Sequence, residues 1–97
     1  MNQNLKELIE YPKSGILSKS LVKGENATLF CMAKDSLMEE HTSTKKGFIY
    51  VLEGQGIFNL EGKNIKMKQR TFIFMEKNAV HSLRAIKNTS FILILTK

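Results

Sequence analysis

The sequence predicts an all-β fold, an antiparallel sandwich or barrel, and two observations lead to this prediction. After Gly15, short segments rich in β-branched and aromatic residues recur, separated by Gly, Asn, Asp or Lys. No segment after Tyr11 has the length and period of a helix between strands, which argues against a parallel βαβ sheet. The eight predicted strands are Ile16–Val22, Ala27–Ala33, Phe48–Glu53, Gly56–Leu60, Asn64–Met67, Thr71–Met75, His81–Ile86 and Phe91–Thr96.

A short helical turn is predicted before the strands. Leu5, Leu8 and Ile9 share one helical face, Asn4 is placed to cap it, and Pro12 ends it. A chain of 97 residues suits one domain. We therefore expect a single domain over residues 1–97, with residues 1–14 as the helical lead-in and residues 15–97 as the β-barrel.

Two glycine turns organise the middle of the chain. Glu53–Gly56 joins two apolar strands, and Glu61–Asn64 joins the next pair. Glycine in such turns supplies the positive φ that tight hairpins need. The three strands around these turns are expected to form a meander.

Two strands are apolar on both faces. In Gly47–Glu53, Ile49 and Val51 lie on one face and further apolar residues lie on the other, and Phe91–Leu95 repeats the pattern. An antiparallel sandwich normally leaves one face of each sheet in water. The outer face must therefore be covered by another segment or subunit, and a homodimer is the simplest solution.

Charge and composition narrow the functional classes. The net charge is +6, but the lysines are scattered, and those of Lys63–Arg70 alternate with less polar residues as on a solvated strand face. Nucleic-acid binding is therefore a remote alternative. No apolar run approaches the roughly 20 residues of a membrane-spanning helix. Because Met1–Tyr11 lacks the apolar core of a secretion signal, we expect a cytoplasmic protein.

Cys31 is the only cysteine, which excludes an internal disulfide and a thiolate metal cluster. It lies in an apolar stretch, so it is either a small buried hydrophobe or a nucleophile. No histidine is close to it in sequence, which favours the buried hydrophobe.

The chain has two histidines, His41 and His81, separated by 40 residues. Each is interpreted as standing at the start of a strand-like run. A lone histidine at a strand end is more often a surface or capping residue than a ligand. Spacing alone therefore does not assign them a function.

The surrounding residues resemble the small single-domain cupins of the conserved-barrel (cupin 2) type. The residues that carry the resemblance are Glu40–Gly54 and Asn78–His81. The resemblance as a whole covers nearly the whole chain. The two family motifs are G-x5-H-x-H-x3-E-x6-G and G-x5-P-x-G-x2-H-x3-N. In that family three histidines and the glutamate bind a divalent metal inside a double-stranded β-helix, or jelly-roll, barrel. The resemblance implies this fold here.

The metal motifs are degenerate in this sequence. His41 and His81 match two of the family's metal ligands, whereas Ser43 replaces the second histidine and Gly47 replaces the glutamate. Gly54 matches the closing glycine of the first motif. The second motif departs from the family at Arg70, Glu76, Asn78 and Ala85, where glycine, proline, glycine and asparagine are usual.

The resemblance implies one divalent transition metal, Zn, Mn, Fe or Ni, at His41 and His81. A catalytic metal usually has about three protein ligands, so Glu39, Glu40 or Glu76 would have to complete the set. Without a metal, the histidines would line the barrel as neutral hydrogen-bonding groups around a small ligand. The predicted ligand pocket consists of His41, Ser43, Ile49, Val51, His81 and Leu83.

Three functions follow as hypotheses. The first is a small-molecule-binding cupin with at most a weak metal site. The second is a metal-dependent isomerase, oxygenase or decarboxylase of a small polar substrate, and the third is a basic nucleic-acid-binding protein. One fold supports many chemistries, so the sequence identifies neither the ligand nor a catalytic residue, and leaves open whether the protein is an enzyme.

Overall fold

The computed structural model describes residues 2–96. These residues form one 3₁₀ turn and nine strands, and none of their helices is long and apolar enough to cross a membrane. The elements are the 3₁₀ turn Leu5–Glu7 and the strands β1 (Ile16–Ser20), β2 (Ala27–Met32), β3 (Leu37–His41), β4 (Gly47–Glu53), β5 (Gly56–Leu60), β6 (Lys63–Met67), β7 (Phe72–Met75), β8 (His81–Ala85) and β9 (Thr89–Leu95).

The strands form two antiparallel sheets that face each other. The five-stranded sheet has the order β1-β2-β9-β4-β7, and the four-stranded sheet has the order β3-β8-β5-β6. Strands distant in sequence pair with one another, as β2 does with β9 and β3 does with β8. The predicted all-β jelly-roll barrel is confirmed.

All eight predicted strands are present, with small differences at their ends, but β3 was not predicted. Its sequence, Leu37-Met-Glu-Glu-His41, contains no β-branched residue and offers one partly buried residue in five positions. The strand lies at a sheet edge and pairs only with β8. Pairing with β8, and not the propensity of its own residues, holds this strand in place.

The predicted meander of three consecutive strands is wrong. Of the three strands in the predicted meander, β5 and β6 form a hairpin, whereas β4 pairs with β7 and β9 in the other sheet. The turn at Gly54 carries the chain from one sheet to the other. Its glycine has a φ of +109° and lies against the backbone of Asn88 and Thr89, so the signal for a tight turn is real but does not join neighbouring strands.

The apolar core lies between the two sheets. Along β4 the inward residues Ile49 and Val51 are buried, as the predicted alternation requires. Burial of such side chains is the main favourable contribution to folding. The central cluster consists of Met32, Ile49, Val51, Phe58, Met67, Ile73, Met75, Leu83, Ala85 and Phe91.

The N-terminal segment, residues 2–15, lies across part of the outer face of the five-stranded sheet. Tyr11 Oη donates a hydrogen bond to Glu53 Oε2 (2.8 Å), and Lys19 Nζ donates one to the Leu8 carbonyl (2.9 Å). Cys31 faces the same side of the sheet as Lys19 and is fully buried. This burial agrees with the interpretation of Cys31 as a small buried hydrophobe.

The predicted N-terminal helical turn is present in a shorter form. Asn4 Oδ1 accepts a hydrogen bond from Lys6 N (2.9 Å), as expected of the cap. The 3₁₀ turn ends at Glu7, and the Leu8 carbonyl accepts from Lys19 instead of from a further helical turn. The last part of the predicted helix therefore does not form, because the chain contacts the sheet there instead.

The rest of this outer face carries an apolar surface, here named the aromatic patch. Phe48 and Tyr50 of β4 lie opposite Phe74 and Phe72 of β7. Phe72 is 62% exposed and Ile94 of β9 is 48% exposed. The aromatic patch consists of Phe48, Tyr50, Phe72, Phe74, Ile92 and Ile94.

We expect Gly54→Ala to destabilise the fold strongly. A Cβ at Gly54 would lie 2.3 Å from the Asn88 carbonyl oxygen, in addition to the cost of a positive φ. Together these effects should lower the free energy of unfolding by about 3 kcal/mol or more, measured by urea denaturation.

Gly24→Ala is the matched control. Gly24 has a φ of +79° but no atom within 4 Å of its added Cβ, so only the backbone cost of about 1–2 kcal/mol applies. Equal losses in the two variants would contradict the close approach of the Gly54 turn to β9.

Candidate functional site

The two histidines lie side by side at one end of the barrel. His41 ends β3 and His81 begins β8, and the two residues are direct partners across this antiparallel pair. Their ring centroids are 4.0 Å apart and the rings are tilted by 61°. The expectation that His41 starts a strand is wrong, because the strand precedes it; the expectation for His81 is confirmed.

Both rings are held by backbone carbonyls in the same way. The Nδ1 atom of His41 lies 2.7 Å from the Glu39 carbonyl oxygen, and that of His81 lies 3.0 Å from the Ala79 carbonyl oxygen. A carbonyl only accepts, so each Nδ1 carries the proton and each neutral ring keeps its lone pair on Nε2. Within residues 2–96, neither Nε2 has a hydrogen-bond partner.

The histidines lie at the edge of an apolar cavity of about 280 Å³ between the two sheets. His81 stacks on Phe58, with centroids 5.8 Å apart and an interplanar angle of 6°. Apart from the histidines, no lining side chain carries a nitrogen or oxygen atom. The lining residues are Phe30, Met38, His41, Ile49, Phe58, Met75, His81, Leu83, Phe91 and Leu93.

Four of the six residues predicted for the pocket line this cavity: His41, Ile49, His81 and Leu83. Ser43 does not, because it lies in the loop after β3, where its hydroxyl accepts from the Lys45 backbone N–H (3.1 Å). Val51 faces inward as expected but is fully buried in the core outside the cavity. Alternation gives the direction of a side chain and not its depth in the barrel.

Sequence reasoning missed the other six lining residues. For Leu93 and Phe58 the alternation along β9 and β5 was a partial signal, but their pairing with Ile49 and Leu83 is visible only in the structure. For Met38 none existed, since β3 itself was not predicted. The missed residues are Phe30, Met38, Phe58, Met75, Phe91 and Leu93.

Gly47 gives Met75 its place in the cavity wall. A Cβ at Gly47 would lie 2.7 Å from Met75 Cε and 3.2 Å from Leu95 Cδ2. Gly47 is buried at the start of β4, on the same inward face as Ile49. Apolar side chains therefore fill the space that a side chain at position 47 would need.

Residues 28–96 match the family model described as the cupin domain. This chain belongs to the cupin family. The match spans β2 to β9 and thus includes both histidines and the whole lining of the cavity.

Solved structures share the fold of this cupin. A conserved protein of unknown function from Streptococcus pyogenes gives a TM-score of 0.89 at 19% identity, over 100% of this chain and 87% of that one. A cupin 2 conserved barrel domain protein from Leptotrichia buccalis gives 0.89 at 28% identity, over 98% of this chain and 47% of that one. A predicted oxalate decarboxylase from Thermotoga maritima gives 0.67 at 19% identity, over 71% and 63%. The comparison with curated proteins found no match.

The residues of this cupin do not fit the metal that the family motifs imply. Within residues 2–96, no group of three or more His, Cys, Asp or Glu side chains is placed to hold a metal ion. Glu39, Glu40 and Glu76, the carboxylates considered as additional ligands, are exposed. The glutamate position is Gly47, where the terminal methyl group of Met75 occupies the space and would have to move to admit a side chain.

The spacing of the two imidazoles agrees with this result. Two imidazoles bound tetrahedrally through Nε2 to one ion at about 2 Å have centroids roughly 5 Å apart. Here the centroids are 4.0 Å apart and the rings contact each other edge to face. The pair is arranged as two neighbouring hydrogen-bonding groups.

Burial controls the charge of His81. It lowers the pKa of His81 below the ordinary 6.5, and the neighbouring His41 acts in the same direction, whereas the hydrogen bond to Ala79 opposes them. His81 is therefore neutral at neutral pH and keeps an acceptor lone pair on Nε2.

We expect the free energy of unfolding to fall as the pH decreases from about 7.5 to about 5.5. In this range the unfolded chain takes up a proton at His81 that the folded chain resists, because its folded pKa is lowered. Urea titrations in EDTA should show a smaller decrease for His81→Gln than for the wild type.

Ser82→Ala serves as the control, since Ser82 neighbours His81 in β8 but does not line the cavity. It should keep the wild-type pH dependence, and His41 is present in all three proteins. An unchanged decrease in His81→Gln would show that burial of His81 is not its source.

Proposed function

We propose that this cupin binds a small, largely apolar organic molecule in the cavity between its sheets, without a resident metal. The observation that carries the proposal is the lining itself: eight apolar side chains and one histidine pair. Ligand sites in proteins combine such apolar walls with a few polar groups that fix orientation.

The cavity volume limits the ligand to about one ring with small substituents. An enclosed apolar cavity of about 150 Å³ accommodates benzene. The cavity of this cupin measures about 280 Å³, near the lower limit of typical ligand sites. His41 is exposed whereas His81 is buried, so the polar end of the cavity is also the end nearer to solvent.

The alternative, a metal-dependent isomerase, oxygenase or decarboxylase, has less support. Two imidazoles supply fewer ligands than catalytic metals usually have, and the remaining motif positions are Ser43 and Gly47. Ser43 is directed to the backbone of its own loop, and the space at Gly47 is apolar. A binding module, and not a metalloenzyme, is the function that the site favours.

The proposed assembly is a homodimer through the aromatic patch. The inward strand residues pack in the core, and the N-terminal segment covers another part of the outer face. In the aromatic patch, by contrast, Phe72 is 62% exposed, Ile94 is 48% exposed and Tyr50 is 41% exposed. The patch contains no charged residue, so two copies of a chain of charge +6 meet there without like charges in contact. A second copy of the same surface is its natural partner.

Toluene should enter the cavity of the wild-type protein. The readout is the ¹³C-methyl NMR spectrum of methionine-labelled protein in EDTA. Resonances of Met38 and Met75, which line the cavity, should shift, whereas those of Met32 and Met67, which belong to the core outside it, should shift little.

Leu93→Trp and Ile94→Trp form the matched pair of variants. Leu93 lines the cavity and its neighbour Ile94 faces outward, so only Leu93→Trp should weaken toluene binding, by about tenfold or more. Absence of toluene binding to the wild type would contradict the proposal. Binding that disappears on chelation would favour the metal-dependent alternative.

Phe72→Lys should weaken the dimer by at least about tenfold, because it places a charge from each subunit in the apolar interface. Sedimentation velocity over a range of concentrations measures the effect. Leu37→Lys is the control, since Leu37 is 57% exposed on the other sheet. A monomeric wild type, or equal effects of the two variants, would contradict the proposed interface.

A further inference from the structure

We infer that the ligand of this cavity carries a neutral hydrogen-bond donor, a hydroxyl or N–H group on an apolar ring, whose one hydrogen is shared between the Nε2 atoms of His41 and His81 in a three-centre hydrogen bond. The inference rests on the proposed binding function and adds the chemistry of the ligand's polar group. Phenols and small cyclic alcohols are the class of compound that fits.

Each ring of the histidine pair keeps one free lone pair. Both Nδ1–H groups donate to backbone carbonyls, of Glu39 (2.7 Å) and of Ala79 (3.0 Å). The hydrogen-bonding capacity left to each neutral ring is one acceptor, Nε2. The ring centroids lie 4.0 Å apart and both rings line the cavity, so we place the ligand's one hydrogen between the two acceptors.

Among the described residues, the side chains that line the cavity offer no free hydrogen-bond donor to a ligand acceptor. Of the ten residues that line the cavity in the described chain, eight have side chains without nitrogen or oxygen. No lysine or arginine is among them. A ligand carboxylate or carbonyl would therefore lose its water and face two lone pairs, which is unfavourable.

A ligand that carries a donor would gain a hydrogen bond at the histidine pair. A hydroxyl directed at the pair would satisfy an acceptor of His81, which is otherwise buried against Phe58 without a partner for Nε2. A ligand that covers this Nε2 atom without donating to it takes the atom out of water and leaves it unpaired, which disfavours such a ligand. The ring of the ligand would then extend between Ile49 and Leu83 into the apolar part of the cavity.

Three probes of similar size separate the possibilities: p-cresol, toluene and 4-methylbenzoate. Calorimetric titration in EDTA at about pH 8 is carried out above the ordinary pKa of an imidazole and below that of a phenol. We expect p-cresol to bind about tenfold more tightly than toluene, and 4-methylbenzoate to bind more weakly than both.

His81→Phe and His41→Phe test the role of the pair. Phenylalanine keeps a ring for packing and removes one acceptor, so the preference for p-cresol over toluene should fall by about threefold or more in each variant. Ser82→Ala, outside the cavity, should keep the wild-type preference. If His81→Phe does not fold, His41→Phe provides the test, because His41 is exposed.

The outcomes distinguish this inference from the proposed function. If p-cresol and toluene bind equally, if 4-methylbenzoate binds more tightly than p-cresol, or if the preference is unchanged in the histidine variants that fold, the inference is wrong and the binding function stands. If none of the three probes binds, both the inference and the proposed function are overturned.

Discussion

The pairing of β3 with β8 is the constraint on which the site depends. β3 is an edge strand with four exposed residues in five, and its only hydrogen-bonded neighbour is β8. This pairing closes one wall of the barrel, sets Met38 opposite Leu83 and sets His41 opposite His81. A register shift of one residue would turn the side chains of β3 to the opposite faces of the sheet and remove Met38 from the cavity wall. Both the shape and the polar end of the cavity thus follow from one interaction between segments about forty residues apart.

Local pattern predicted most of the fold, and the failures have physical causes. Strands rich in β-branched and aromatic residues could be predicted because these residues both favour strand conformation and suit a buried sheet face. β3 was missed because its pairing with β8 determines its conformation and its own residues do not. The turn at Gly54 was identified, but a turn signal does not say whether the following strand stays in the same sheet, and here β5 crosses to the other one. Long-range pairing is the part that composition and periodicity leave open.

The same distinction applies to the site. The histidines were singled out by rarity and motif, and the structure places them in contact. Cavity depth could not be read from alternation, so Val51 was included and Phe58 was not. The motif comparison identified Ser43 and Gly47 as departures, but only the structure explains what stands there instead. Met75 packs over Gly47, so an apolar wall takes the position from which a carboxylate would otherwise reach the barrel interior.

The carbonyl anchors of the two histidines make the orientation of the imidazoles independent of the shape of the cavity wall. Each ring is oriented by the backbone two residues before it, at Glu39 and at Ala79, and not by a neighbouring side chain. Wall positions such as Leu93 and Met75 are therefore free to change in size while the two acceptors keep their aim. A scaffold of this kind is suited to diversification by mutation: libraries that vary the wall would change the shape of the cavity while both imidazoles keep their orientation.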